Sequence, residues 1–160
     1  MSFNDFAAAR LLHVLAIVLW IGGVAMVTTV ILPAARRGPA DRGIALFEAV
    51  ERRFARQARL TTLLAGVSGF YLTYRLQAWD RFLEPTYWWM HAMVLVWGIF
   101  TLMLFVLEPL VLHRHFQRRA EADPQGVLRI MERAHWALLA LSLIAAAGAV
   151  AGSHGGILDF

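Results

Sequence analysis

Six histidines are the side chains of this sequence best suited to bind a metal, and two of them stand inside long apolar runs. His13 lies in the run 11–32 and His91 in the run 87–112. An ionisable residue inside a membrane-spanning helix is costly, so each is a candidate for function. Two imidazoles on facing helices at matching depth are suitable axial ligands for a b-type haem. The alternative is that each ring forms a hydrogen bond to a neighbouring helix and binds no metal.

The residues around these histidines are compatible with a flat macrocycle. Trp20 and Gly23 share a broad helical face with His13, and Gly22 and Gly23 remove side-chain bulk beside it. On the later run, Gly98 follows His91 by about two helical turns and continues the same stripe. The predicted cofactor site consists of two haem ligands and four neighbours: His13, His91, Trp20, Gly22, Gly23 and Gly98.

The other histidines and one carboxylate are secondary candidates. His113 and His115 end the third apolar run, where the alternative is that they are solvated loop residues. His135 begins the fourth run and could complete a second metal site with either. His154 stands in a glycine-flanked tail, as a solvated residue or a substitute ligand. Glu108 is a candidate proton or charge site, or the partner of a loop arginine. The proline that follows it has no N–H, so it frees a carbonyl about one turn upstream.

Copper is the alternative metal. Thioether and imidazole ligands suit Cu(I), and Met90, His91 and Met93 stand together. Three side chains so close along one helix cannot all converge, however, and methionine commonly fills apolar cores. The absence of cysteine excludes thiolate zinc sites, iron–sulfur clusters and thiolate-ligated haem. The sequence also lacks the phosphate-binding and serine-hydrolase motifs.

The elements that position these residues are predicted to be membrane helices. The 160 residues are 59% hydrophobic and only 16% charged, a balance unlike that of a water-soluble domain. Four runs have about the length that crosses a bilayer as a helix. They predict an all-α, single-domain, four-helix integral membrane bundle with spans at about 11–32, 60–76, 87–112 and 134–152. Apolar residues at helical spacing in 44–56 add a short cytoplasmic amphipathic helix between spans 1 and 2.

The distribution of arginine predicts the orientation. Of the 15 basic residues, all arginine, seven lie in 33–59, five in 113–133 and three elsewhere. Because cytoplasmic loops are enriched in positive charge, both long loops are expected in the cytoplasm and both termini on the periplasmic side. This predicts a multi-pass protein of the bacterial cytoplasmic membrane. Its basic charge is confined to loops, so nucleic acid is not an expected partner.

The run LLHVLAIVLWIGG at 11–23, followed by Pro33, resembles the first helix of the copper-resistance protein D (CopD) domain and of the HemJ-type protoporphyrinogen oxidases. FEAVERRF at 47–54, running into LTTLLAG at 60–66, is similar to the oxidase family's cytoplasmic helix and second span. The WMH of 89–91 resembles that family's Trp-x-His. The resemblance covers about two-thirds of the chain and implies haem b bound through histidine. The family's lysine two positions after the third-span histidine is Met93 here, which weighs against protoporphyrinogen oxidation.

The expected function is therefore that of a membrane-embedded b-type haem protein in electron transfer or oxidation. Its expected partners are the lipid bilayer, a quinone and an outer-face redox protein, and a homo-oligomer is left open. The alternatives are CopD-like copper handling and a structural or assembly subunit of a membrane complex.

The orientation can be tested by cysteine labelling, because the natural sequence has no thiol background. Cysteines introduced at Gly38 and Gln125 should resist a membrane-impermeant thiol reagent in intact cells, whereas one at Ser153 should react. The opposite pattern of labelling would invert the topology.

Overall fold

The computed structural model describes residues 4–112 and 122–153, and throughout these two ranges the regular elements are helical. Within these ranges, four long helical rods run alternately up and down the bundle. Two short helical turns connect the second rod to the third. The elements are α1 (Asp5–Met26), a π-helical segment (Val27–Ile31), α2 (Leu32–Arg37), α3 (Ala40–Arg75), two short 3₁₀ turns (Asp80–Leu83 and Pro85–Tyr87), α4 (Trp88–Leu102), a second π-helical segment (Met103–Leu112) and α5 (Pro124–Ser153).

The first rod extends beyond the predicted span at both ends. It begins earlier because Asn4 caps α1, its side chain accepting a hydrogen bond from the N–H of Ala7. It also continues past Pro33, since the π-helical segment before it widens the helix; the N–H of Leu32 bonds the carbonyl of Val27, five residues back. Pro33 therefore lies within the rod, which ends at Arg37.

The predicted amphipathic helix and the second span form one continuous helix. At 36 residues, α3 is about 54 Å long, well beyond the roughly 30 Å hydrocarbon thickness of a bilayer. The apolar stripe of its first half packs inward, with Phe47 only 1% exposed. The short helix expected between spans 1 and 2 is thus the first half of α3.

Pro109 in the third rod leaves one backbone carbonyl of that rod without its helical donor. Pro109 has no N–H, and in a π-helix that N–H would bond the carbonyl five residues back, which belongs to Leu104. Arg59 donates its Nε–H to this carbonyl over 3.1 Å. An arginine of α3 thus satisfies a carbonyl on the neighbouring rod.

Three of the rods in the described ranges are long and apolar enough to cross a membrane: Asp5–Arg37, Pro85–Leu107 and Pro124–Ser153. Large apolar side chains cover much of their outer surfaces; Leu11 and Leu95, for example, are about 60% exposed. Such surfaces suit contact with lipid, and they indicate a multi-pass membrane protein.

Two buried clusters form the core of the part of the chain that the structure describes. One surrounds Trp20 and Phe100, whose rings meet edge to face with centroids 4.8 Å apart. The other surrounds Leu32, Phe47 and Leu128 at the end of the bundle that carries Arg36 and Arg37, which we call the arginine end. The opposite end, at residues 76–87, we call the loop end.

Glycines bring α5 against α4 at the loop end. A Cβ built on Gly148 would lie 2.5 Å from the ring of Trp88, and one on Gly152 equally close to the ring of Trp89. Gly148 and Gly152, which lie one helical turn apart, thus form a packing face of α5, and Trp88 and Trp89 pack against it.

Ion pairs join the rods at both ends. At the loop end, Asp5 accepts hydrogen bonds from Tyr71 and Arg75 of α3. At the arginine end, Arg36 pairs with Glu132 of α5. These pairs are partly exposed, so they set the register of neighbouring helices more than they add stability.

The contact between α1 and α3 can be tested with adjacent glycines. A Cβ on Gly23 would lie 2.1 Å from the Phe54 ring, whereas nothing lies within 4 Å of one on Gly22. Gly23→Ala should therefore destabilise the protein by about 1–3 kcal/mol through overpacking. Gly22→Ala, the matched control, should be neutral or slightly stabilising. Unfolding in detergent micelles measures both, and equal stability of the two variants would contradict this packing.

Candidate functional site

His13 is held against α3 by its Nδ1 atom. This nitrogen lies 2.9 Å from the carbonyl oxygen of Ala65 and 3.1 Å from the hydroxyl of Ser68. A carbonyl only accepts, so Nδ1 carries the proton and donates it; Nε2 is then the unprotonated ring nitrogen. The Ser68 hydroxyl donates to the carbonyl of Leu64 and thereby presents its oxygen to the ring. The tautomer of His13 is therefore defined by two residues of the neighbouring helix.

Small residues of α3 make room for this ring. A Cβ on Gly69 would lie 2.9 Å from Cε1 of His13, too close for any side chain. Ala65 is buried one turn earlier and contributes the acceptor carbonyl. Ser68 and Gly69 were not predicted from the sequence as partners of His13. The signal was the small-residue spacing of Ala65 and Gly69, which marks a close helix contact without identifying what enters it.

His91 has a different environment. Its side chain is exposed, its Nε2 lies 2.9 Å from the carbonyl oxygen of Phe82, and its ring meets the Phe82 ring edge to face. The same stripe of α4 continues through Leu95 and Leu102, which are 61% and 52% exposed. His91 thus stands on the outer surface of the bundle, bonded to the connection at the loop end.

The two histidines lie at similar depths but face different neighbours. Both α1 and α4 run inward from the loop end, and Trp20 meets Phe100. Seven residues before each of these are His13 and Met93, which places those two level; His91 is about 3 Å nearer the loop end at 1.5 Å per residue. The two rings therefore lie at similar depths but point in different directions. His13 bonds α3, whereas His91 bonds Phe82.

The predicted neighbours of the cofactor differ in the space around them. Trp20 is 4% exposed, and its indole N–H has no partner among the described residues, so it could donate to a bound group. Gly22 and Gly98 adjoin open space. The space beside Gly23, which we call the Gly23 notch, is filled by the ring of Phe54. His13 and Trp20 therefore fit a haem, whereas a macrocycle in the Gly23 notch would displace Phe54.

The methionines proposed as soft ligands do not share the environment of His91. Met93 packs against the core cluster around Trp20. Met90 is half-buried near the start of α4, while His91 between them turns to Phe82. Met93 and His91 thus lie on different faces of α4.

His135 lies towards the arginine end. Its Nδ1 donates to the carbonyl of Met131 over 2.9 Å, one turn earlier on α5, and its ring meets Phe47 edge to face. His113, His115 and His154 lie outside the described residues, as does the side chain of Glu108. Within the described ranges no three histidine, aspartate or glutamate side chains form a metal-binding group.

No protein-family model matches the chain, no curated protein matches it, and no solved structure matches it. The chemistry of the site therefore has to be derived from its own residues.

The seat of His13 can be tested by a double-mutant cycle. Gly69→Ala should destabilise the protein by about 1 kcal/mol or more, because the new methyl group pushes the ring away from the Ala65 carbonyl. The same change in a His13→Ala background should cost much less, since the ring that it meets is gone. Gly98→Ala, with open space around it, serves as the control. Additive effects of the two substitutions would show that His13 does not occupy the place beside Gly69.

Proposed function

We propose that this chain is a four-span protein of the cytoplasmic membrane, with the arginine end in the cytoplasm. The apolar half of α3 is the crossing added to the three long apolar rods. Three observations support the crossing by α3. Its residues 60–75 pack along α1, and Leu60 and Val67 on its outer surface are 60% and 71% exposed. The last turn of α3 is tied to the start of α1 by Asp5, at the end opposite the arginines. The arginine asymmetry then supports the orientation.

Within this bundle, we propose the function of a b-type haem protein that transfers electrons. The observation that carries the proposal is the hydrogen bond from His13 Nδ1 to the Ala65 carbonyl. Metal-ligating histidines typically donate their second ring N–H to a carbonyl or carboxylate, which fixes the ring and keeps the other nitrogen unprotonated. An imidazole prepared in this way inside an apolar helix is suited to be an axial ligand.

The remaining residues have supporting roles in this proposal. His91 would be the second ligand once its ring leaves the Phe82 carbonyl, a bond on the outer surface that is replaceable by solvent or a headgroup. Trp20 would donate its buried indole N–H to the bound haem. Phe54 would have to leave the Gly23 notch to make room for it. The haem itself supplies a one-electron oxidation and reduction, with a membrane quinone and an outer-face redox protein as proposed partners.

Absorption spectra of the protein purified in detergent test this proposal. The wild-type protein should show a low-spin b-type spectrum, and His13→Ala should lose the haem because the prepared ligand is gone. His91→Ala should lose the haem or convert it to a high-spin form. His135→Ala, at the other end of the bundle, is the matched histidine control and should leave the spectrum unchanged.

Two outcomes would contradict the assignment. A wild-type protein without haem, after expression with ample haem supply, would eliminate the electron-transfer function and leave copper handling or a structural role. A haem spectrum that survives His13→Ala would place the ligands elsewhere in the chain.

A further inference from the structure

One outer face of α5 changes from charged to apolar along its length. Its members follow one another at spacings of three or four residues, so they line up on one side of the helix, and all are exposed: Arg129, Arg133, Trp136, Ala140 and Leu143. A face that only met water would not carry a half-exposed tryptophan and leucine in line with its arginines. We call it the Arg129–Leu143 face.

The change in character occurs at the edge of the apolar part of α5. From Arg133 to Ser153 the helix rises about 30 Å at 1.5 Å per residue, which equals the hydrocarbon thickness of a bilayer. The twenty residues after Arg133 contain no aspartate, glutamate, lysine or arginine. With α5 across the membrane, Arg133 and Arg129 therefore lie at the headgroups of the leaflet at the arginine end.

The charge of the two arginines is not balanced by the carboxylates that the structure describes beside them. Glu132 pairs with Arg36. Asp123 accepts the backbone N–H of Gly126 over 2.8 Å and so caps the start of α5. Like charges one helical turn apart destabilise a helix, which an anion bound between them would relieve.

An open cavity of about 310 Å³ lies against these arginines. The described residues that line it are Gly126, Arg129, Ile130 and Arg133. Small-molecule sites measure about 300–1,000 Å³, so a phosphate with its glycerol fits here. Guanidinium groups bind phosphate oxygens in pairs of parallel hydrogen bonds, and the exposed Ile130 adds an apolar wall.

We propose that the Arg129–Leu143 face binds one anionic phospholipid of the leaflet at the arginine end. Arg129 and Arg133 hold the phosphate. Trp136, about 4.5 Å deeper than Arg133, lies at the level of the glycerol, where tryptophan is enriched in membrane proteins. Leu143 lies beside an acyl chain. The site goes beyond the proposed haem function and rests only on the membrane crossing of α5, one of the three long apolar rods.

Native mass spectrometry of the full-length protein in detergent tests the site. The probes are dioleoyl phosphatidylglycerol, which is anionic, and dioleoyl phosphatidylcholine, which is zwitterionic with the same chains. The wild-type protein should bind one phosphatidylglycerol at least about tenfold more tightly than phosphatidylcholine, since each basic residue near an anionic headgroup adds to the attraction. The double variant Arg129→Gln/Arg133→Gln should lose this preference.

A matched control separates a defined site from the general positive charge of the arginine end. Arg52→Gln/Arg53→Gln removes the same charge from exposed positions of α3, but adjacent residues of a helix point in different directions. This variant should keep the preference for phosphatidylglycerol. All variants should elute as folded protein in size-exclusion chromatography, because the substituted side chains are exposed. His13→Ala should bind the lipid like the wild type whatever its haem content, so a failure of the haem function is seen separately.

The proposal is overturned if the wild-type protein binds both lipids equally, or if Arg129→Gln/Arg133→Gln keeps the preference. An equal loss in Arg52→Gln/Arg53→Gln would also overturn it, because the attraction would then come from diffuse charge. Inorganic phosphate that binds through Arg129 and Arg133 and displaces the lipid at equal concentration would replace the phospholipid by a soluble phosphate ligand.

Discussion

The ring of Phe54 is the contact on which the two halves of this bundle depend. It fills the Gly23 notch on α1, and it packs against both buried clusters, the one around Trp20 and the one around Phe47. It also lines a small cavity at the arginine end, together with Glu51 of α3 and His135 of α5. Because a buried ring makes many weak dispersion contacts at once, one side chain on α3 can link the half of the bundle near the loop end to the arginine end. Any movement of this ring therefore affects the packing of both clusters.

Hydropathy and charge were sufficient to predict much of the architecture. The all-helical fold, the three long apolar rods and the helix-spacing pattern of 44–56 follow from composition and periodicity. The sequence did not indicate where helices would continue. Pro33 reads as a stop, yet the π-helical segment before it carries the rod on to Arg37. The junction between the amphipathic helix and the second span likewise contains no helix breaker, so α3 continues through it.

The candidate site was predictable only in part, because partners come from other helices. The rarity of histidine in apolar runs identified His13, but its hydrogen bonds to Ala65 and Ser68 depend on how α1 and α3 pair. The occupant of the Gly23 notch was equally hidden, since a glycine shows that something is close and not what it is. Glu51 and His135, which line the same cavity at the arginine end, lie far apart in the sequence. Such a combination follows from tertiary packing, which no local pattern encodes.

The bond between Arg59 and the Leu104 carbonyl has a consequence for sequence variation. The carbonyl needs an outside donor only because Pro109, five residues later, has none to offer in the π-helical pattern. In homologous chains, positions 59 and 109 should therefore change together, since an ordinary residue at 109 would supply its own N–H and remove this one requirement for arginine at position 59. The pair would appear in an alignment as covariation between an arginine on one rod and a proline on another.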